Sequence, residues 1–579
     1  MATTRGRRTN PLRHRPQGWR LAIVGVNSAA LALAFSTLSP APAARAENPT
    51  FPTSVVDVSG TAGLAEGEEF VAANPFNPMD VIVGSNQWQP YSGNPGNVGV
   101  GPSGATDCAV FDSHDGGLTW TGQRLDNGGI GTVPIPPPVS SIPNPIGSQF
   151  EDFGNVISAD QSIVFDHHGN AYYQCIYLGL SNADPQVWVF RSTDAGRTWG
   201  PKVVAFSEVG TQIQIDRPFL AVDNSGGPRD GALYLAYETM FYQAYLPEVY
   251  VERSDDQGAT WSSPVRVDED ANRAQWDPRE FPQVGADGTL HVLYDASPLT
   301  SPCPCDPSTP ALVVASSEDG GATFRHSTVD PEVHRISSQD EAFNYFQELV
   351  AAFAASPADP NRLAVAWPDA GSGEDRILLR QSLDGGRTWQ DAADATDDPP
   401  GGGNQHDHAT LAYLPDGALA IAWRDRRASG GSLTSPFEVF LRLAVPAGDG
   451  LAFGDTVRLT DAVQAPTTGH HGNMPTEYMS IAGDSTGIHA SWDQLDASVA
   501  FPDNVYRHVA TADLPRPTTP TATPGEADIP LPNTVPAAPA WAAGIMLGGL
   551  AAALVAGGRR RRRAGSRPEA YSASIARSR

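Results

Sequence analysis

An all-β fold of seven repeated modules is predicted by two observations on this 579-residue chain. The first is an eight-residue pattern, Ser-x-Asp-x-Gly-x-Thr-aromatic. It occurs at Ser113–Trp120, Ser192–Trp199, Ser254–Trp261, Ser317–Phe324 and Ser382–Trp389, with first serines 79, 62, 63 and 65 residues apart. The second is a run of two strand-like segments joined by a turn, found from Phe70, Ser162, Pro218, Phe281, Leu349, Ala409 and Met479. A self-similar period of this length marks a stack of supersecondary units in which each buries its faces against its neighbours.

Each eight-residue pattern follows a β-branched or aromatic run, such as VWVFR before Ser192 or VYVER before Ser254, which is strand chemistry. The pattern itself is a turn. Asp accepts backbone N–H bonds inside it, Gly supplies a positive φ, and the final Trp or Phe packs back between sheets. These residues resemble the Asp-box, or bacterial neuraminidase repeat, family of β-propellers. The resemblance implies a β-propeller and a structural role for Asp115, Asp194, Asp256, Asp319 and Asp384; the seven strand pairs make the expectation seven-bladed, with the six-bladed sialidase-like ring as the alternative. Two more third strands, from Glu438 and Asn504, are expected without a box. The strand-like segment Ser54–Gly60 is expected to complete the last blade, so that neither end of the ring leaves a bare edge.

The flanks have a different composition. Six arginines from Arg5 to Arg20 precede an apolar run, Leu21 to Leu38, and Ala44-Arg45-Ala46 has the spacing of a cleavage site; residues 1–46 therefore read as a signal peptide. The propeller is expected over 47–514. Residues 515–540 are rich in Pro, Thr and Ala and read as an extended stalk. Residues 541–558 carry no charge and precede five arginines, which predicts a transmembrane helix with a cytoplasmic tail at 559–579. Leu531 to Val535 resembles a sortase cell-wall sorting signal, with Val535 where that family has Gly, so a single-pass anchor with the N-terminal domain outside is the expectation. Between the two basic ends the chain holds 23 basic and 64 acidic groups, a net of −41, which excludes nucleic acid as a partner of the propeller.

In a propeller, ligand groups come from the loop before each innermost strand and the loop between second and third strands. Registering the innermost strands aligns Asp216-Arg217 with Glu280-Phe281 and Glu477-Tyr478, and puts Glu68 and Asp160 in the column of Arg217. Arg279, Gln347, Glu348, His406, His408, His470 and His471 lie nearby. The second-to-third-strand loops add Trp88, Tyr91, Glu238, Phe241, Tyr242, Tyr245 and the run Arg424 to Arg427. Aromatic faces stack on sugar rings and carboxylates bind hydroxyls, so the mixture suits an extracellular glycan or glycoprotein.

Sialidases of this superfamily clamp the substrate carboxylate with three arginines and attack with a tyrosine activated by a glutamate, while an aspartate serves as acid and base. The resemblance implies Arg217, Arg279 and one of Arg424, Arg426 or Arg427 as the clamp, Tyr478 as nucleophile, Glu280 as its base, and Asp160 or Asp216 as the acid. Asp216-Arg217-Pro218-Phe219 is the nearest segment to that family's aromatic-Arg-Ile-Pro motif, and the surplus acids Glu68, Glu69, Glu348 and Glu477 would repel an anionic sugar. The expectation is a cell-surface, non-catalytic recognition propeller, with exo-sialidase or another glycoside hydrolase as the alternative. No cofactor is required. The acidic ring could hold calcium through carboxylate oxygens, whereas His406, His408, His470 and His471 with Asp407 fit no standard zinc spacing. Cys108 and Cys175 fall on neighbouring blades, with their pairing open.

Overall fold

The computed structural model describes Val58 and residues 66–88, 106–125, 133–134, 158–177, 185–207, 213–241, 247–269, 273–274, 281–297, 310–334, 351–429, 435–460, 478–495 and 506–509. The signal peptide, stalk and membrane-helix expectations lie outside them. Among the described residues no helix is long and apolar enough to cross a membrane.

The described strands form seven sheets, each an antiparallel meander. The first is β1 (Glu66–Ala73), β2 (Val81–Trp88), β3 (Thr106–Ser113), β4 (Thr121–Arg124) and β5 (Val133–Pro134). The second is β6 (Ser158–Phe165), β7 (Ala171–Tyr177), β8 (Gln186–Ser192) and β9 (Val203–Ser207). The third is β10 (Ile213–Val222), β11 (Leu233–Phe241), β12 (Pro247–Ser254) and β13 (Val265–Arg266). The fourth holds β14 (Arg273–Ala274), β15 (Phe281–Val284), β16 (Leu290–Ser297), β17 (Ala311–Ser317) and β18 (Arg325–Asp330), with β14 and β15 both pairing β16. The fifth is β19 (Ala352–Ala355), β20 (Leu363–Asp369), β21 (Arg376–Ser382) and β22 (Ala393–Asp394). The sixth is β23 (His406–Tyr413), β24 (Leu419–Asp425), β25 (Glu438–Ala447) and β26 (Gly450–Arg458). The seventh is β27 (Ser480–Gly483), β28 (Ile488–Leu495) and β29 (Tyr506–Val509).

The strands β1, β6, β10, β15, β19, β23 and β27 each lie against the next, and β27 returns to β1, so the sheets close into a β-propeller. Second strands such as β20 (LAVAWPD) and β24 (LAIAWRD) are buried at every position. That is what a strand covered on both faces requires, and it explains their continuous apolar runs. The core is accordingly divided into layers between adjacent sheets, one of which joins Val58 to Val71, Val81 and Val83 of the first sheet and to Ala482 of the seventh. The remainder of the proposed closing strand, 54–60, lies outside the described residues.

The five repeated turns sit between third and fourth strands, at the end of each sheet opposite the start of its innermost strand. In the fourth sheet, Asp319 Oδ1 accepts from the Ala322 and Thr323 amides at 3.1 and 2.9 Å and from Ser317 Oγ at 2.7 Å. Its Oδ2 accepts from Thr323 Oγ1 at 2.6 Å. Asp115, Asp194, Asp256 and Asp384 make the same Thr contacts. Two successive residues in the turn take the left-handed conformation, including the non-glycines Ala195 (φ 59) and Gln257 (φ 62). The glycine is needed for space as well: a Cβ on Gly196 would stand 2.7 Å from Ile82 of the preceding sheet. The preceding sheet also reaches across, with Gln123 donating to Gly196 O (3.0 Å), Arg253 to Gly320 O (2.7 Å) and Arg325 to Gly386 O (3.0 Å). These three turns thus link two sheets each.

Asp319→Ala is expected to cost about 1–2 kcal/mol by removing the acceptor of these donors, read as a shift in denaturation midpoint. The Thr323 hydroxyl leads the contacts that pull the Asp319 carboxyl down to about 2. Its contribution is therefore present above the usual Asp range and lost as pH falls toward 2, so wild type and variant should converge in acid.

Glu252 on β12 behaves in the opposite sense. Burial pushes its carboxyl up to about 7 from 4.5, only partly offset by the Tyr237 hydroxyl that donates to it at 2.7 Å. The folded state holds the extra proton between these values, so this group's contribution to stability is full below about 4.5 and falls as pH rises through about 7. Glu252→Gln keeps an acceptor for Tyr237 and removes the charge. The variant is expected to match wild type at pH 4 and exceed it at pH 8 by as much as about 3 kcal/mol; equal pH profiles would contradict this.

Candidate functional site at the channel mouth

Four innermost strands break register just inside their start, between Gly67 and Phe70, Ala159 and Ser162, Asp216 and Phe219, and Asp407 and Thr410. An inserted residue at such a bulge re-aims the chain. The first inserted residue is Glu68, Asp160, Arg217 or His408, and the last three have φ of 53°, 48° and 51°. A non-glycine residue in this region is strained by roughly 1–2 kcal/mol, and such strain concentrates at functional sites. Three charged or titratable residues on three sheets share it here.

Two of these residues, Asp160 and Arg217, meet between adjacent sheets and are joined there by Tyr478. Asp160 Oδ1 accepts from Tyr478 Oη at 3.3 Å, and Asp160 Oδ2 accepts the Arg217 amide at 3.0 Å, which also reaches Asp216 Oδ1 at 3.1 Å. Gln174 braces the bulge from β7, donating to the Asp160 carbonyl at 2.5 Å and also to the Pro218 carbonyl. Beneath them the Phe219 ring packs on Phe70 at 6.0 Å, stacks on Phe281 at 5.0 Å and meets Tyr478 edge-on at 5.6 Å. Rings from the first, third, fourth and seventh sheets therefore form an aromatic floor. The Tyr478 side chain is buried in that floor, with its hydroxyl within proton-transfer reach of a carboxylate.

The sixth sheet supplies a second group. Arg426 Nη2 lies 3.1 Å from Asp407 Oδ2, His408 Nδ1 lies 3.4 Å from the same oxygen, and the Arg424 and Arg426 guanidiniums stand 5.3 and 5.7 Å from the Phe437 ring. Burial pushes the Asp407 carboxyl up, but Arg426 and then His408 outweigh it and hold the group well below the usual range. Asp375 shows the opposite balance: burial, then the Asp407 charge, raise it to about 7. Arg427 is occupied elsewhere, by Asp397 at 2.6 Å and Asp425 at 2.7 Å, which narrows a clamp role on this sheet to Arg424 or Arg426.

Of the expected site residues, the structure brings together Asp160, Asp216, Arg217 and Tyr478 in one group and His408, Arg424 and Arg426 in the other. Glu238 is fully buried and pairs in register with Asp216 across β10 and β11. Arg279, Glu280, Tyr91, Tyr242 and Tyr245 lie outside the described residues, as does the side chain of Trp88, which ends β2. The described carboxylate on Tyr478 is Asp160, one of the two residues, with Asp216, expected as the acid; Glu280, the expected base, lies outside the described residues. Sequence reasoning missed Asp375 and the ring Phe437. It also missed the equivalence of His408 with Arg217, although the apolar run that follows His408 offered the same alignment signal as the others.

No protein-family model matches the chain. It is 25% identical over 345 residues to a sialidase of Micromonospora viridifaciens, covering 58% of this chain and 47% of that protein; the chain thus spans about half the length of that curated relative. Among solved structures it is similar to the Hadza microbial sialidase Hz136, at 14% identity and a TM-score of 0.41, with 79% of this chain and 92% of that one covered. It is also similar to an intramolecular trans-sialidase from Ruminococcus gnavus, at 11% identity and a TM-score of 0.41 over 63% of this chain and 91% of that one. The Micromonospora relative and the closed ring of sheets together fit a sialidase-superfamily propeller.

Proposed function

We propose that the chain is a seven-bladed propeller, each sheet one blade, that recognises extracellular glycans at this channel mouth. The observation that carries the reading is the shared bulge. Asp160, Arg217 and His408 stand in a strained conformation at one position of three innermost strands, and Asp160 contacts Tyr478 of an aromatic cluster. Carboxylates, guanidiniums and ring faces converging on a concave mouth are the chemistry of sugar recognition, and the similar Micromonospora protein is a sialidase. Recognition by hydrogen bonds and stacking calls for no cofactor. On the same proposal, residues 1–46 direct export and 541–558 anchor the propeller outside the membrane.

A second reading, glycoside hydrolysis, is favoured by one contact, the Tyr478 hydroxyl on Asp160, which places a potential nucleophile on a proton acceptor. A glycan array read alongside a panel of fluorogenic glycosides tests both. Glycan binding without turnover supports recognition alone; turnover supports the second reading; neither binding nor turnover would remove the glycan proposal.

A further inference from the structure

His406, the first residue of β23, is fully buried, with neighbours from both the fifth and the sixth sheet. Its Nδ1 lies 2.6 Å from the carbonyl oxygen of Asp375, the residue before β21. Its Nε2 lies 3.1 Å from Asp398 Oδ1, on the loop entering β23, and 3.2 Å from Asp425 Oδ2, at the end of β24. Both carboxylates are already covered by donors and carry no proton of their own. Asp398 Oδ2 accepts Asn404 Nδ2 at 2.9 Å and its Oδ1 accepts Arg376 Nη1 at 3.2 Å; Asp425 Oδ2 accepts Trp423 Nε1 at 3.0 Å and Arg427 Nη2 at 2.7 Å. Carbonyl and ionised carboxylate oxygens only accept hydrogen bonds, so each nitrogen of the ring must carry a proton. A neutral ring would turn a lone pair onto the carbonyl or onto two carboxylates. His406 is therefore an imidazolium whose Nε2–H is shared by two acceptors and aligned with neither.

Burial pushes the ring's pKa down, but hydrogen bonds to Asp398 and Asp425 outweigh it and hold it up at about 9. The other charged groups here are fixed over that range. Arg376 pairs with Glu374, Asp394 and Asp398, and Arg427 pairs with Asp397 and Asp425; guanidiniums keep their proton. Asp375, raised to about 7, has ionised before pH 9, and Asp407 is ionised throughout. Three cations thus face the five paired carboxylates until His406 discharges, and two face them afterwards. Since the folded value lies above the ordinary 6.5, the ring's contribution is full below about 6.5 and is lost as pH rises through about 9.

We propose that His406 is a charged clasp between the fifth and sixth sheets, a positioning residue that holds the Asp407, His408 and Arg426 group of the mouth in place and releases it in alkali. What the clasp joins is visible on both sides. The loop 398–405 is tied to the fifth sheet, where Glu374 accepts the Gly401 and Gly403 amides at 2.8 and 2.5 Å and Gln405 Oε1 accepts the Asp375 amide at 2.9 Å. Directly after His406 comes Asp407, which holds Arg426 and His408. The imidazolium is the group that contacts the fifth sheet, this loop and the end of β24 at once. Of the four histidines that the sequence groups together, His408 instead faces Asp407, and His470 and His471 lie outside the described residues.

The test uses the full chain with isotope-labelled histidines, titrated by NMR from pH 5 to 10.5. Of the 13 histidines, the one whose signal is missing from His406→Gln is His406. A proton on Nε2 at pH 7 and a midpoint near 9 are expected, and Asp398→Asn, which removes one of the two carboxylate charges, should bring that midpoint down by roughly 1–2 pH units. An unprotonated Nε2 at pH 7, or a midpoint that Asp398→Asn leaves in place, overturns the proposal. Positioning is read separately, as amide exchange of residues 398–408 corrected for hydroxide catalysis. Protection should drop roughly tenfold between pH 8 and 10 in wild type and show no such step in His406→Gln; equal protection at both pH values in wild type overturns the positioning role. Should His406→Gln not fold, the wild-type signal displaced by Asp398→Asn and the wild-type exchange decide. A last measurement rests on the glycan reading: affinity for a glycan found on the array should follow the same step near pH 9. Affinity flat across the step overturns the link to the mouth, whereas a chain that binds no glycan counts against that reading alone, and the titration and exchange still decide the clasp.

Discussion

Replacing both Cys108 and Cys175 by alanine is expected to lower the stability of the propeller by about 4 kcal/mol. The two form a disulfide that closes a 67-residue separation and ties β3 of the first sheet to β7 of the second. Both residues are fully buried in the layer between these sheets, together with Ile82, Tyr173 and Trp188. The bond therefore restricts the unfolded chain over a long loop while sitting in packing that two alanines would fill less well. A chemical denaturation midpoint that is unchanged in the double variant would show that the unfolded chain gains nothing from release of the loop. Addition of reductant to the folded protein is expected to act slowly, since neither sulfur is exposed until the layer opens.

The repeats were legible because their determinants are local. Asp319, Thr323 and Gly321 lie within five residues of one another, and the turn they build needs nothing from elsewhere to be recognised. Alternation along β12, whose burial follows P-E-V-Y-V-E-R-S almost residue by residue, is local in the same way. Aligning innermost strands on their apolar cores found Arg217 and Asp160 for a related reason, since the bulge that carries them precedes a fixed apolar pattern. What sequence could not supply is which groups touch across sheets. Tyr478 and Asp160 are separated by 318 residues, and nothing near either residue specifies the other. Likewise, His406 reads as part of a histidine cluster, but its carbonyl and carboxylate neighbours come from the start of β21, the end of β24 and the loop before β23. The Cys108 and Cys175 pairing belongs to this class as well: adjacency of sheets was legible, the facing of two side chains was not.

Tyr478→Phe is the variant expected to separate the two functional readings most widely. The substitution removes one oxygen and keeps the ring, so the edge-on contact with Phe219 and the floor beneath the mouth should survive. Removal of the hydroxyl leaves Asp160 with the Arg217 amide on its second oxygen. Stability should therefore fall by no more than about 1 kcal/mol. If the tyrosine is a nucleophile, turnover of a fluorogenic sialoside should drop at least roughly a thousandfold, because the oxygen that would bond to the sugar is gone. Affinity for the intact glycan should then change little, and kcat should carry the loss while KM stays near its wild-type value. If the mouth only recognises glycan, there is no turnover to lose. The larger effect then moves to Arg217→Ala or Arg426→Ala, each of which removes a guanidinium from the mouth. Arg426→Ala also leaves Asp407 as a buried charge with less compensation, at about 3–5 kcal/mol for such a broken pair, so its binding loss must be judged against a melting curve. A wild-type chain that hydrolyses the sialoside while Tyr478→Phe retains full activity would remove the tyrosine from the mechanism and leave a carboxylate such as Asp160 as the candidate nucleophile.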